Sequence, residues 1–121
     1  MKIAITTTGP GWDASVDERF GRAKGFALVE VGGKEPSISF IENSQNLQAV
    51  QGAGIQAAES VSRNGAKALL TGHVGPKAFR VLSAAGVEIY LGVKGTVRQA
   101  FEAYAKGELR RAESADAEGH W

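Results

Sequence analysis

The stretch AKALLTGHVGPKAFRVLSAAGVEIYL, residues 66–91, decides the fold class. It begins with a continuous apolar run from Ala66 to Thr71, which is typical of a strand covered on both faces. Gly75-Pro76 then opens a helix, with proline at its tolerated first position. Val87 to Leu91 is a second apolar run. Because strand, helix and strand follow one another through short connections, the stretch predicts a right-handed crossover between parallel strands.

The segments on either side complete a sheet. Upstream lie short β-type runs and one helical pattern, namely Lys2–Thr8, Phe26–Val31, Ser37–Glu42 and Gly52–Arg63. Downstream, a helix starts at Thr96 and carries apolar residues at Val97, Ala100, Phe101 and Tyr104. The order β-β-β-α-β-α-β-α predicts an α/β fold of the ribonuclease H-like kind. In it, a five-stranded mixed sheet carries helices on both faces; a flavodoxin-like sheet is the alternative.

Length and composition exclude several classes of protein. The 121 residues are enough for one domain, and 43% hydrophobic with 22% charged residues is an ordinary globular mixture. A net charge of +1 argues against a polyanionic partner such as nucleic acid. The absence of cysteine excludes disulfides, thiolate nucleophiles and metal sites built on this chain's own sulfur.

The ends of the sequence suggest its location and its domain limits. The first apolar stretch is too short and too rich in threonine for a signal peptide, and no stretch is long enough for a membrane span. We therefore expect a cytoplasmic protein. Apolar periodicity stops after Leu109, so residues 1–107 are predicted to form the single domain and residues 108–121 a mobile acidic tail.

Glycine-bearing loops follow the predicted strands or open the helices at one edge of the sheet. In open α/β sheets ligands bind beyond the carboxyl ends of the strands, and a helix N-terminus favours an anion. Any one loop could be only a tight turn, but their convergence predicts a shared pocket for an anion or a cofactor. The glycines expected to approach the ligand are Gly9, Gly11, Gly52, Gly54, Gly72 and Gly75.

Four side chains near these loops are candidates for contact with a ligand. Arg19 and Arg22 could hold an anion, or could pair with neighbouring acids at the surface, the interpretation favoured when they are taken alone. His73 could be a ligand or donor in the pocket, or a hydrogen-bonded loop residue. Trp12 could be a lid over the pocket, or could pack against a neighbouring loop.

No catalytic set can be found in the sequence. A ribonuclease H-type site needs carboxylates on the first strand and near the next parallel strand to hold metal ions. Residues 2–8 and 66–75 contain no acid. The nucleophile elbow and the phosphate-binding loop of nucleotide hydrolases are also missing. We therefore expect no enzyme.

Several motifs together resemble those of the dinitrogenase iron–molybdenum cofactor biosynthesis family. The resemblance covers residues 1–107 and rests on MKIAITT, DERFGRAKGF, GAGIQAAE and LLTGHVGPKAFRVLSAAGVEIYLGVKGTVRQAFEAY. Its most specific parts are Phe20-Gly21-Arg22-Ala23, Gly52-Ala53-Gly54, Thr71-Gly72-His73-Val74-Gly75-Pro76 and Gly95-Thr96-Val97.

The resemblance implies a ribonuclease H-like fold that binds or shuttles a molybdenum-containing cluster. Small stand-alone members imply a mixed molybdenum–copper sulfide cluster, held without covalent attachment, together with proteins that donate or accept it. The predicted roles are charge from Arg19, Arg22 and Lys94, apolar cover from Trp12, Phe20 and Val74, and polar contact from His73. No residue is assigned to direct metal ligation.

One position departs from the family pattern. Many members have histidine immediately before Phe20-Gly21, where this sequence has Arg19. A guanidinium is not expected to ligate a metal, so the departure favours electrostatic holding of an anionic cluster. Two other functions stay open: a small hydrolase or transferase acting on a phosphorylated metabolite, and a protein-interaction module.

Overall fold

The computed structural model describes residues 1–43 and 53–115. Gly52, the predicted start of the first helix, lies outside this part of the chain. The strands and helices follow one another in the predicted order, with ends that differ from the predicted ones by a residue or two. They are β1 (Lys2–Thr7), β2 (Gly25–Glu30), β3 (Ser37–Glu42), α1 (Ala53–Arg63), β4 (Ala66–Leu70), α2 (Pro76–Ala84), β5 (Glu88–Tyr90) and α3 (Val97–Ala105).

The strands form one mixed sheet in the order β3-β2-β1-β4-β5. β1 and β4 run parallel, as do β4 and β5, whereas β2 is antiparallel to both β1 and β3. The antiparallel pairs exclude the all-parallel flavodoxin-like alternative. The predicted mixed α/β sheet is confirmed, and its order is compatible with the ribonuclease H-like arrangement. β1, β4 and β5 end at the same side of the sheet, which we call the carboxyl edge.

Helices cover both faces of the sheet. α1 and α2 pack beside each other on one face, over buried strand side chains that include Ala4, Phe26 and Leu69. α3 covers the other face, over residues such as Ile5 and Leu70. β4 lies between β1 and β5 and is buried on both faces, which explains its continuous apolar sequence. Of the helices in the described ranges, none is long and apolar enough to cross a bilayer.

The chain after α3 returns to the sheet rather than leaving it. Leu109 packs into the core on the α3 face, and the Ala112 N–H donates to the Ile89 carbonyl at 2.7 Å. An isolated antiparallel bridge joins Arg111 to Tyr90 of β5. The predicted tail boundary at residue 108 is therefore wrong for the first residues of the tail. Backbone pairing to a short edge strand, which composition does not reveal, holds them in place.

Candidate functional site

A segment that we call the strap, residues 14–20, runs along the carboxyl edge. Within it, the Val16 N–H donates to the Gly95 carbonyl at 2.8 Å, and the Asp17 N–H donates to the Thr6 carbonyl at 2.9 Å. The strap is thus fixed both to the end of β1 and to the loop that precedes α3. It occupies the edge where an open cleft between converging loops was expected.

At its far end the strap pairs with the loop between β4 and α2, residues 71–75. Arg19 and His73 form a parallel bridge. The His73 N–H donates to the Glu18 carbonyl at 2.8 Å, and the Phe20 N–H donates to the His73 carbonyl at 3.2 Å. We call this paired unit the ribbon: Arg19 and Phe20 on one side, His73 and Val74 on the other. Two predicted site residues distant in sequence are therefore direct neighbours.

Side chains in the ribbon alternate as they do in a sheet. Arg19 is exposed and His73 half-buried, whereas Phe20 and Val74 are both 0% exposed. In a parallel pair the partnered residues project to the same side, so Arg19 and His73 stand together at the surface. Phe20 and Val74 belong to the core beneath α1 and α2. The prediction that these two side chains give apolar cover to a ligand is thus not supported.

Gly72 allows the strap and the loop to meet. A Cβ at this position would lie 2.6 Å from the Glu18 carbonyl oxygen and 2.7 Å from its Cα. The close approach is to the chain's own backbone, which differs from the predicted approach to a ligand. At Gly9 and Gly11 a Cβ would have no neighbour within 4 Å, although Gly11 has a φ of +96°. These loop glycines therefore face open space.

The arginines do not pair with the acids beside them. Among the described residues, neither Arg19 nor Arg22 forms an ion pair, and both side chains are exposed. The Asp17 carboxylate instead accepts a hydrogen bond from the backbone N–H of Arg19, at 3.0 Å. The surface-pairing interpretation is wrong here, because a local turn engages the carboxylate. Two guanidinium groups thus stand close in the chain with their charges uncompensated by a neighbouring acid.

Other predicted site residues lie on the far side of the strap. Trp12 packs against Phe101 of α3, with ring centroids 5.5 Å apart, and the Arg98 guanidinium lies 5.7 Å from its ring. Trp12 thus packs on the α3 face, as its second interpretation allowed, although against a helix rather than a loop. Lys94 is exposed in the loop that precedes α3. The predicted site residues therefore form two groups, one around the ribbon and one beside α3.

The helix N-termini at the carboxyl edge also differ from one another. The Val97 N–H donates to the Ala14 carbonyl, and the Arg98 N–H to the Trp12 carbonyl, each at 2.9 Å. Thr96 and Gln99 complete a capping box. The N–H groups that begin α3 are engaged by the chain itself, so the predicted anion site at this helix is wrong. By contrast, α2 begins at Gly75 and Pro76 without a side-chain cap, next to the ribbon.

Gly54 lies in the first turn of α1 and is half-buried. α1 and α2 pack together and both start at the carboxyl edge, so Gly54 belongs to the ribbon's side of the sheet. On this side the bridge brings Arg19 and His73 together, with Gly72 and Gly75 in the same loop as His73. Arg22 follows three residues after Arg19 in the chain and Gly54 belongs to α1, so neither is part of the bridge itself. The role of Gly52 stays a prediction outside the described residues.

The chemistry at the carboxyl edge is that of hydroxyl groups. Thr6, Thr7 and Thr71 are each 0% exposed at the ends of β1 and β4, where a metal-dependent nuclease would carry carboxylates. Residues 1–43 and 53–115 hold no group of three His, Asp or Glu side chains suited to a metal ion. These threonines were not among the predicted site residues, although polar residues at the ends of two buried strands are a visible signal in the sequence.

Residues 1–107, and with them the ribbon and all the elements, match the family described as dinitrogenase iron–molybdenum cofactor. The chain belongs to this family. The predicted resemblance is therefore confirmed.

Solved structures and a curated protein agree with this membership. The apo form of the orange protein from Desulfovibrio gigas is 40% identical, with a TM-score of 0.90 and 96% of each chain covered. A putative NifB protein from Thermotoga is 27% identical, with a TM-score of 0.74 and 98% of each chain covered. An uncharacterized protein of Methanocaldococcus jannaschii is 26% identical over 114 residues, which cover 93% of this chain and 92% of that protein. Family and neighbours together relate the chain to the binding or biosynthesis of a molybdenum-linked cofactor.

Proposed function

We propose that this protein is a non-catalytic carrier of an anionic molybdenum–sulfur cluster, with a mixed molybdenum–copper sulfide as the preferred cargo. The cluster is held without covalent attachment on the ribbon side of the carboxyl edge. One observation carries the proposal: the parallel bridge sets Arg19 and His73 side by side at the surface, next to the start of α2. Proteins that donate or accept the cluster complete the proposed role.

Each group on this side has a definite task toward an anion. The guanidinium groups of Arg19 and Arg22 supply positive charge and several N–H donors in a planar arrangement. His73 adds an imidazole on the same side of the ribbon as Arg19. The N-terminus of α2 adds the positive end of a helix dipole. Buried Phe20 and Val74 hold these groups from beneath, so the surface changes little when a ligand arrives.

The donor set fits a preassembled cluster better than a bare metal ion. The chain has no cysteine, and the described residues contain no cluster of carboxylate and imidazole ligands. A bare copper or molybdenum ion would therefore lack protein ligands here. A thiomolybdate-type cluster brings its own sulfides and presents a large negative surface. Charge and hydrogen-bond donors are sufficient to hold such an anion.

Anaerobic mixing with tetrathiomolybdate and copper(I), followed by desalting, tests the proposal. We expect retained colour, with molybdenum and copper in a fixed ratio to protein. Inorganic phosphate in excess distinguishes the two classes of cargo. Phosphate should displace the cluster from a site built for phosphorylated metabolites, but not from a site built for the cluster. Loss of both metals on desalting, or turnover of generic phosphate esters, would contradict the proposal.

Charge reversal locates the site within the same assay. Arg19→Glu removes a charge-assisted contact and adds repulsion, so retention should weaken by about tenfold or more. Lys34→Glu is the matched control, since Lys34 is exposed in the hairpin between β2 and β3, at the opposite edge of the sheet. Equal retention by the two variants would rule out the ribbon as the binding surface.

A further inference from the structure

A pair of buried hydroxyl groups joins the two sides of the ribbon at its base. Thr6 and Thr71 are 0% exposed, and their Oγ1 atoms lie 2.8 Å apart. The Thr6 hydroxyl also donates to the carbonyl of Asp17 in the strap, at 2.6 Å. A hydroxyl carries one hydrogen and a carbonyl can only accept, so Thr71 supplies the hydrogen of the bond between the hydroxyls. The chain of donors therefore runs from Thr71 through Thr6 to Asp17.

The two residues that this chain of donors joins lie just before the ribbon in their segments. Arg19 is bridged to His73, and Asp17 and Thr71 each stand two residues before one of these partners. The Thr6 side chain, which comes from β1, is hydrogen-bonded to both and so lies between the strap and the loop. It acts as a spacer that fixes their separation.

Further bonds make each side rigid beyond this point. On the strap, the Asp17 carboxylate accepts from the Arg19 N–H at 3.0 Å and so sets the turn that leads into the ribbon. On the loop, the Thr71 N–H donates to Tyr90 and the Thr71 carbonyl accepts from Val93, at 3.0 and 3.1 Å. Thr71 is thereby tied to β5 and the loop that follows it. The distance between strap and loop at Thr6 therefore also determines the distance between Arg19 and His73.

We propose that Thr6 and Thr71 form a positioning clasp that sets the spacing of Arg19 and His73, and through it the affinity for the anionic cargo. Neither threonine reaches the ligand, because both are buried. The inference rests on the proposed function, since the cargo is what gives the spacing a purpose. The clasp itself is a property of the chain without cargo.

Thr6→Val tests the clasp, because valine keeps the shape of threonine and removes its hydroxyl. The change leaves the Asp17 carbonyl and the buried Thr71 hydroxyl without their partner. Two hydrogen bonds are lost, so we expect the amide hydrogens of Phe20 and His73 to exchange at least about tenfold faster, the ratio that follows from losing one of them. Retention of tetrathiomolybdate with copper(I) should fall by a similar factor. Thr6→Ser keeps the hydroxyl and should restore both.

Thr7→Val is the matched control. Thr7 is equally buried, but its hydroxyl donates to the Gly9 carbonyl at 2.7 Å, with the Ser15 carbonyl at 3.3 Å as its other acceptor. It thus contacts the loop after β1 and the start of the strap rather than the ribbon. We expect this variant to melt earlier while ribbon exchange and retention stay at the wild-type level. Were Thr6→Val not to fold, Thr71→Val would replace it, since it leaves the bond from Thr6 to Asp17 in place.

The possible outcomes distinguish failure of the clasp from failure of the proposed function. A Thr6→Val protein that melts earlier but exchanges and binds like wild type would reduce Thr6 to a purely structural role and overturn the clasp. Failure of wild-type protein to retain the probe would overturn the proposed function instead. In that event the exchange rates at Phe20 and His73 decide the clasp alone, with unchanged rates counting against it.

Discussion

Gly72→Ala should destabilise the protein strongly although it adds only one methyl group. The new Cβ would lie 2.6 Å from the Glu18 carbonyl oxygen and 2.7 Å from the Glu18 Cα. Ordinary contacts between carbon atoms are about 3.5 Å or longer, so the strap must move by about 0.8 Å. Both atoms belong to the backbone, so rotating a side chain cannot relieve the clash. The strap and the loop must separate at the point where the ribbon begins.

The expected loss of stability has two parts. Overpacking of this kind costs about 1–3 kcal/mol. The hydrogen bond from the His73 N–H to the Glu18 carbonyl, 2.8 Å long, stretches as the strap moves and loses about 1 kcal/mol more. The sum, about 2–4 kcal/mol, should lower the melting temperature of a domain of this size by about 10 °C or more.

Thermal denaturation followed by circular dichroism measures this loss, with Gly9→Ala as the control. Gly9 is also a loop glycine at the carboxyl edge, but a Cβ there meets nothing within 4 Å, and its φ lies outside the left-handed region. We expect that variant to stay within about 0.5 kcal/mol of wild type. Two outcomes would refute the close contact between strap and loop. One is a Gly72→Ala protein with the melting temperature of wild type, and the other is a Gly9→Ala protein whose melting temperature drops as much as that of Gly72→Ala.

Two further predictions concern β5, the last strand of the sheet, and the segment that pairs with it. Burial, together with the hydrogen bond to Glu88, raises the pKa of Tyr90 to about 12. The unfolded chain loses this proton first, so Tyr90 stabilises the fold below pH 10 and the contribution should disappear between pH 10 and 12. Absorbance titration should show Tyr90→Phe lacking the latest phenol ionisation; an unchanged titration curve would contradict the assignment. Deleting residues 108–121 should cost about 1–3 kcal/mol, because Leu109 loses its core contacts and Ala112 its bond to β5. Equal urea midpoints for the full and shortened chains would show that the docked segment contributes nothing.

The elements of the fold could be predicted because each carries a local signal. The apolar run of β4 indicates burial on both faces, and Gly65 and Gly86, each with a φ of +80°, follow the ends of α1 and α2. Strand order follows from handed crossovers and short connections. The antiparallel start and parallel finish of the sheet were therefore accessible before any coordinates.

The site could be predicted only in part, because its decisive contacts join residues distant in sequence. Arg19 and His73 were separate candidates, but their bridge depends on how the strap crosses the edge. Trp12 was placed near the pocket because its loop follows β1, yet its ring packs against Phe101 on the opposite face. The N-terminus of α3 looked open in sequence and is closed by the carbonyls of Trp12 and Ala14, from a distant segment. A local sequence pattern therefore identifies candidate site residues, but it does not show which of them come into contact in the fold.

Under the proposed function, the clasp decides when a chain becomes able to bind its cargo. Thr6 and Thr71 are 65 residues apart in the chain, and their contact needs β1, the strap and β4 in place together. A partly synthesised chain that stops before Thr71 therefore lacks both the clasp and the bridge between Arg19 and His73. A bound cluster, in turn, stabilises only the completed fold. Under that function, only a chain folded as far as β4 and the loop that follows it can retain the cluster.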